Sequence, residues 1–348
     1  MTSLWPNDVN NSFTFPPAVG PRSTLADPDP DGVLRWLSGA AEDRSLVGGK
    51  AASLAQLAAL GAPVPPAFAL TTGAYAAFAA SIGLPRRDAD LVTDALPQLR
   101  AGIMDGPLPA SVAEAIARGF EAFAGDPGST ASLAVRSSGT SEDSAASSFA
   151  GLHDTVLDVR TLDALERAIR RCWASLWSDR AVAYRRERDM ADETSEIAVV
   201  VQQLVRSDVS FIAFTTDPVT HARDRVVIDA TWGLGESIVS GLIVPDHVTV
   251  GPDGEVLDYA VGDKHLMVIP GDGPAFASLG TREVPVPRSL RTQPAMSHEQ
   301  ARDIALLARN LSRQLGYEAD LEGGIAVGRI HLFQARPITT LGTRSDTR

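Results

Sequence analysis

A single cysteine, Cys172, occurs among the 348 residues. An intramolecular disulfide and a cysteine-built metal site are therefore excluded. Cys172 lies in Arg171-Cys172-Trp173-Ala174-Ser175-Leu176, an amphipathic helical pattern, and reads as a small buried residue rather than a nucleophile. Long apolar runs are also missing. The stretch from Ala67 to Ala80 is broken by Thr71, Thr72 and Gly73, so nothing reaches the ~20 uninterrupted apolar residues of a membrane helix. The start, Met1-Thr2-Ser3-Leu4-Trp5-Pro6, lacks the basic and apolar regions of a secretory signal. The expectation is a cytoplasmic chain without a membrane partner. Basic charge is in deficit, with 31 Lys and Arg against 43 Asp and Glu and a formal net charge of -12. Such a surface disfavours nucleic acid, whose binding rests on neutralised phosphates. It does not disfavour a nucleotide, because a few cations focused in a cleft outweigh the surface field locally. The six histidines, His153, His221, His247, His265, His298 and His331, show no zinc-ligand spacing.

With 44% hydrophobic and 21% charged residues, the composition is that of a globular chain long enough for two lobes with their own cores. Residues 1–34, rich in Pro, Asp, Asn, Ser and Gly, read as a poorly ordered leader. Residues 343–348 read as a short tail. Residues 35–202 form a helix-rich N-terminal lobe. The spacing predicts a helix from Gly49 to Leu60 ending at Gly61, then extended chain through Pro63-Val64-Pro65-Pro66. A strand follows at Phe68-Ala69-Leu70, then a helix capped by Thr71 or Thr72. Leu162 to Arg188 reads as one long helix. Residues 203–342 form a strand-rich C-terminal lobe. Ile197-Ala198-Val199-Val200-Val201, just before the boundary, is the clearest strand. Gly251-Pro252-Asp253-Gly254 and the turn near Gly328 mark two hairpins. A cleft between two lobes is a common ligand site.

Five segments carry chemistry. In Val47-Gly48-Gly49-Lys50-Ala51-Ala52-Ser53-Leu54, paired glycines at a helix start let backbone N–H groups approach an anion, and Lys50 adds a point charge. The spacing is not that of a Walker loop, and a capping glycine with a solvated lysine explains it as well. In Leu133-Ala134-Val135-Arg136-Ser137-Ser138-Gly139-Thr140, a short apolar strand delivers an arginine into a Ser/Thr/Gly loop that continues to Ser148-Phe149-Ala150-Gly151-Leu152-His153-Asp154-Thr155. Hydroxyls and a guanidinium suit phosphate, and an arginine ending a buried strand needs a partner. Val199-Val200-Val201-Gln202-Gln203-Leu204 is either a core strand or a hinge facing an adenine edge. Asp217-Pro218-Val219 and Gly233-Leu234-Gly235-Glu236 are either tight turns or a flexible ligand loop. In Asp320-Leu321-Glu322 and Phe333-Gln334-Ala335-Arg336-Pro337, alternation puts Asp320 with Glu322, and Gln334 with Arg336, on one face of each strand. Paired, these strands offer hard oxygen ligands for Mg²⁺ beside Arg336. The alternative is a surface salt bridge between Glu322 and Arg336.

Taken in order from about Trp36 to Thr340, these segments resemble the N-terminal ATP-binding domain of phosphoenolpyruvate synthase, pyruvate phosphate dikinase and rifampicin phosphotransferase. The resemblance implies an α+β, ATP-grasp-like two-lobed fold holding ATP between its lobes. It implies that Lys50 and Arg136 bind the phosphates, with Thr155 near them. Gln202 and Leu204 would line the adenine pocket, Glu322 and Gln334 would hold Mg²⁺, and Arg336 would clamp a phosphate. Lys264, in Gly262-Asp263-Lys264, matches the basic residue that follows the Gly-Leu-Gly-Glu segment. Leu152 stands where the family often has Gln, and Gly139 where it has Ala. Neither change removes a charge.

Family enzymes also carry a mobile domain with a histidine in a Gly/Thr-Ser-His-Ala segment, followed by an acceptor domain. Nothing in the sequence resembles either. The resemblance therefore implies a split phosphotransferase of dikinase type: this chain would pass the β-phosphoryl of Mg-ATP to a histidine on a separate protein, which would deliver it to a small-molecule acceptor held by an acceptor-binding protein. A self-sufficient ATP-grasp kinase or ligase and a non-catalytic nucleotide sensor are the alternatives.

Overall fold

The structure, a computed structural model, describes residues 32–85, 87–88, 95–124, 132–140, 154–188, 196–271 and 280–338. The Ser148-Phe149-Ala150-Gly151 segment, Leu152, His153, most of the leader and the tail lie outside the described residues. In chain order the elements begin with β1 (Leu34–Trp36), α1 (Arg44–Ala59), β2 (Ala67–Leu70), α2 (Thr72–Ser81), α3 (Leu96–Asp105) and α4 (Ala110–Ala124). Next come β3 (Leu133–Gly139), β4 (Thr155–Val159), α5 (Leu162–Ser175), α6 (Asp179–Glu187) and β5 (Ile197–Gln203). Then follow β6 (Val209–Phe214), β7 (Val226–Trp232), α7 (Glu236–Val239), β8 (Asp246–Val250), β9 (Val256–Ala260), β10 (Leu266–Pro270) and β11 (Thr281–Pro285). The last are α8 (Arg288–Arg291), α9 (His298–Leu315), β12 (Ala319–Ala326) and β13 (Arg329–Pro337). The class is α+β. No described helix is long and apolar enough to cross a membrane.

Two large antiparallel sheets, with a two-stranded antiparallel pair of β10 and β11, organise the described elements. The first large sheet has the order β1-β2-β5-β3-β4 and draws all its strands from residues up to Gln203. The second has the order β13-β12-β6-β7-β8-β9 and begins at Val209. β5 is a continuous apolar run because both its faces are covered. Val199 and Val201 join Phe68, Val135, Ile169 and Trp173 in one core. Val200, with Ala67 and Ala69, packs toward Leu54 of α1. That second core does not stop at the first sheet. It continues through Phe211, Ile228, Val248, Leu321 and Ala335 to Ile304 and Leu311 of α9. Helix α1 therefore lies between the sheets, and the Ser53 hydroxyl donates to the Ala335 carbonyl of β13 at 2.5 Å.

Local chemistry sets the boundaries. Gly61, at φ 76°, ends α1 in the left-handed region. Helix α9 starts with a capping box, in which Ser297 and Gln300 each bond the other's backbone, and ends at Gly316 with φ 80°. Val327 and Gly328, at φ 50° and 72°, make the two-residue turn joining β12 to β13. The pattern from Leu162 to Arg188 differs from the sequence expectation: it is two helices. Ser178 adopts extended backbone and its hydroxyl accepts from the Ala181 N–H, starting α6 afresh. Periodicity continues across the break, but a serine able to cap a helix start interrupts the backbone. Cys172 is fully buried, as its helical setting implies.

Gly48 is the tightest point between α1 and the first sheet. Its backbone sits at φ 76°, ψ 174°, outside helical space, a combination nearly confined to glycine. A Cβ added there would lie 2.1 Å from the Ser138 carbonyl oxygen. Gly48→Ala is therefore expected to lose at least about 2 kcal/mol, from backbone strain and overpacking together. Urea unfolding of the variant against the parent measures it, and an unchanged midpoint would refute the close approach.

Candidate functional site

The polar residues singled out in the sequence fall mostly where β3 of the first sheet meets β12 and β13 of the second. Strand β3 carries Ala134 and Arg136 on one face. They stand opposite Gln202 and Val200 of β5, respectively. Arg136 is also paired across to Thr155, an exposed residue on the edge strand β4. Because two residues along a strand span about 7 Å, this face runs from Gln202 at one end to Arg136 at the other.

Arg136 crosses the gap between sheets. Its Nη1 lies 3.4 Å from the Phe333 carbonyl oxygen and 3.9 Å from Glu322 Oε2. Its Nε is buried with no hydrogen-bond partner among the described residues. A buried guanidinium N–H without a partner is costly unless an acceptor arrives. Lys50, two residues past the non-helical Gly48 in α1, reaches the same strand, and its Nζ donates to the Ser137 carbonyl at 3.0 Å. The neighbouring Ala51 N–H donates to Ser138 Oγ at 3.3 Å. The close approach at Gly48 is what lets the start of α1 sit against β3 at this level.

Strands β12 and β13 pair in the register that brings the carboxylates and their partners together. Glu322 stands directly opposite Gln334, and Asp320 opposite Arg336. Opposed residues of an antiparallel pair have Cβ atoms about 5 Å apart on one face. Glu322 and Gln334 are thus neighbouring oxygen donors, with Arg136 above Glu322. Arg336 bonds Asp320 rather than Glu322, through Nε at 2.8 Å and Nη2 at 2.7 Å to Oδ2. A salt bridge of Glu322 with Arg336 is not formed, and Glu322 is left to Arg136 and Gln334.

Gln202 is buried, its Nε2 3.5 Å from the Pro65 carbonyl. Just beyond it, the Leu204 N–H donates to the Ser132 carbonyl at 2.8 Å. The Leu204 side chain joins a small apolar group of Ala134, Leu157, Leu234 and Val268. Sequence reasoning assigns a role only to Leu204. Ala134 and Leu234 lie inside motifs but carry no predicted role, and no spacing rule marks Leu157 or Val268. Only the fold brings β4, the Gly-Leu-Gly-Glu turn and β10 to one place.

Two singled-out segments behave differently. Asp217 accepts from Thr220 Oγ1 at 2.6 Å and from the Thr220 and Val219 N–H groups at 3.0 and 2.8 Å. The Thr220 bonds are the main cause holding its carboxyl below the usual carboxylate range, so Asp217 stabilises its own turn. Lys264 is the second of only two lysines in the chain, and it does not join the other site residues. It is fully buried and ion-paired with Asp246, also fully buried. Asp246 further accepts from the Gly262 N–H at 2.9 Å, the Ala295 N–H at 2.6 Å and the Tyr259 hydroxyl at 3.2 Å. Burial, ahead of every other cause, pushes the Tyr259 phenol above its ordinary range, so it stays a donor.

Removing one partner of a buried pair leaves an uncompensated charge. Lys264→Met is expected to destabilise the fold by roughly 3–5 kcal/mol, and Lys264→Met with Asp246→Asn by clearly less. Denaturant unfolding of both variants tests this. Equal losses in the two would show that the charge pairing is not the cause.

A model of the pyruvate phosphate dikinase AMP/ATP-binding domain matches residues 44–348. The chain is 34% identical over 318 residues to a probable phosphoenolpyruvate synthase of Methanothermobacter thermautotrophicus, covering 88% of this chain and 46% of that protein. It is 38% identical over 311 residues to a rifampicin phosphotransferase of Streptomyces sviceus, covering 85% and 34%. It is also 38% identical over 295 residues to the prodigiosin synthesizing transferase PigC of Serratia marcescens, covering 84% and 32%. The chain thus spans less than half the length of these relatives. With the match running from the start of α1 to the last residue, the chain belongs to the pyruvate phosphate dikinase AMP/ATP-binding domain family.

Proposed function

We propose that the chain is the ATP-binding module of a phosphoenolpyruvate-synthase-like phosphotransferase, with an ATP-grasp-like arrangement that holds Mg-ATP between its two sheets. The observation that carries this is Arg136. Its Nε is buried with no partner among the described residues, and it reaches from the first sheet to Glu322 on the second, beside the Glu322–Gln334 pair and the strand held by Lys50. Phosphate oxygens supply the acceptors this arrangement lacks.

In this reading Gln202 and Leu204 hold the adenine end, and the phosphates run along the face toward Arg136. Lys50, Arg136 and Arg336 offset phosphate charge, and Thr155 lies beside them on β4. The carboxylate and amide oxygens of Glu322 and Gln334 suit a hard cation. Magnesium, when bound there, supplies charge neutralisation on the phosphates. The chain's own residues orient the triphosphate and place cations where negative charge develops, the main protein contribution to phosphoryl transfer. Lys264, sealed against Asp246, acts on the site only through the segment it holds.

The acceptor of the β-phosphoryl is a histidine outside these 348 residues, and the separate-protein arrangement is the form we favour. ATP and water then yield AMP, phosphate and the phosphohistidine, from which a small molecule takes the group. Three of the described histidines have settings that favour an outside acceptor: His247 Nδ1 is held by Asp229 at 2.8 Å, His298 stacks on Tyr259, and burial depresses the His331 pKa.

Calorimetry should show ATP binding that weakens sharply without Mg²⁺ and in Glu322→Ala. Equal affinity with and without the metal would remove the Glu322–Gln334 assignment. Lys50→Ala and Arg136→Ala should each lower turnover with the proper histidine protein by about 10²–10³, the loss of one preorganised donor. Near-normal turnover would remove the residue from the site. With β- and γ-labelled ATP, label should reach a histidine of the partner only from the β position. A stable phosphohistidine on this chain alone would favour the self-sufficient alternative.

A further inference from the structure

One buried carboxylate has no place in the site described above, and it stands directly behind the adenine end. Asp158 is fully buried in β4 and adopts φ 59°, a left-handed conformation that non-glycine residues seldom take and that Asp tolerates better than most. The pairing of β3 with β4 slips at this point. Leu133 pairs with Val159 and Val135 with Val156, so Leu157 and Asp158 together oppose the single residue Ala134. This is a β-bulge, a device that re-aims side chains beside functional sites.

The bulge has a specific outcome. In a regular strand Val156 and Val159 would point to opposite faces. Here both are buried in the core behind the first sheet. Leu157 is turned the other way, into the group formed by Ala134, Leu234 and Val268 with Leu204 packed against it. The Asp158 carboxylate holds the bend. It accepts from Arg160 Nε and Nη2 at 2.7 and 2.9 Å. It also accepts from the Ser132 hydroxyl at 2.7 Å. Ser132 is the residue whose carbonyl accepts the Leu204 N–H. One carboxylate thus fixes Leu157 through the backbone and Leu204 through Ser132.

We infer that Asp158 is the positioning residue for the nucleoside half of the site, setting the apolar wall against which a purine stacks while leaving the triphosphate half untouched. The inference rests on the nucleotide reading above. It adds to it a division of labour: Lys50, Arg136, Glu322, Gln334 and Arg336 read the phosphates, and the Arg160–Asp158–Ser132–Leu204 chain reads the base. Asp158 acts only through its neighbours.

The test measures two ligands on the full chain, Mg-ATP and inorganic tripolyphosphate with Mg²⁺, by calorimetry. Asp158→Ala should weaken ATP at least tenfold and leave tripolyphosphate within twofold of the parent. Asp158→Asn, which keeps tolerance of the left-handed backbone and an acceptor for Ser132 but loses the charge facing Arg160, should give an intermediate loss for ATP alone. It also serves if the alanine variant does not fold. A folded variant that binds ATP as the parent does, or that loses both ligands equally, overturns the inference and leaves the nucleotide reading standing. A parent chain that binds neither ligand overturns both.

Discussion

The seating of α1 against β3 is the contact on which the rest depends. Gly48 lets the start of the helix come within bonding distance of Ser137 and Ser138. The helix body then fills the space between the two sheets, touching Val200 on one side and Ala335 on the other through a shared core. A side chain at position 48 would hold the helix off and separate the sheets. Lys50 would then lose its reach to β3, and Arg136 its reach to Glu322.

Polar and apolar groups are divided by this arrangement. On β12 and β6, Leu321, Phe211 and Ala213 turn to α9, while Asp320, Glu322 and Ser210 alternate to the opposite face. The same alternation places Gln334 and Arg336 beside them. Charges are tolerable there because they pair across strands or face the gap, where an anion can reach them. Two other buried ion pairs, Lys264 with Asp246 and Arg185 with Asp88 at 2.8 Å, hold segments together. The two cations Lys264 and Arg136 differ in setting: Lys264 sits on an aspartate, whereas Arg136 Nε has no hydrogen-bond partner among the described residues.

Much was legible in the sequence because its periodicities act locally. The two-residue alternation of Asp320 with Glu322 and of Gln334 with Arg336 needed only that the strands pair, and the Val327-Gly328 turn makes them do so. Gly61 announces a helix end by backbone chemistry that does not depend on the rest of the chain. The continuous apolar run of β5 signalled a strand covered on both faces. Where periodicity alone was followed, as from Leu162 to Arg188, the break at Ser178 went unseen, since a capping serine and a surface serine look the same until the backbone turns.

The sequence by itself therefore determined several of the elements, the alternation of the strands around Glu322 and Gln334, the family resemblance and the residue types available for phosphate and metal. Only the tertiary structure decided which of those residues meet. Lys50 and Lys264 carry the same charge, yet one bonds a strand-end carbonyl beside Arg136 and the other is sealed against Asp246. Glu322, for which the sequence offers a salt bridge with Arg336, meets Arg136 from a distant strand while Arg336 goes to Asp320. No motif or spacing marks Asp158, and only the bulge puts it behind Leu157 and Leu204. The reason is physical: spacing along a chain sets which face a side chain takes, but the partner of a charge is set by distances between segments far apart in sequence, which only the packed core holds constant.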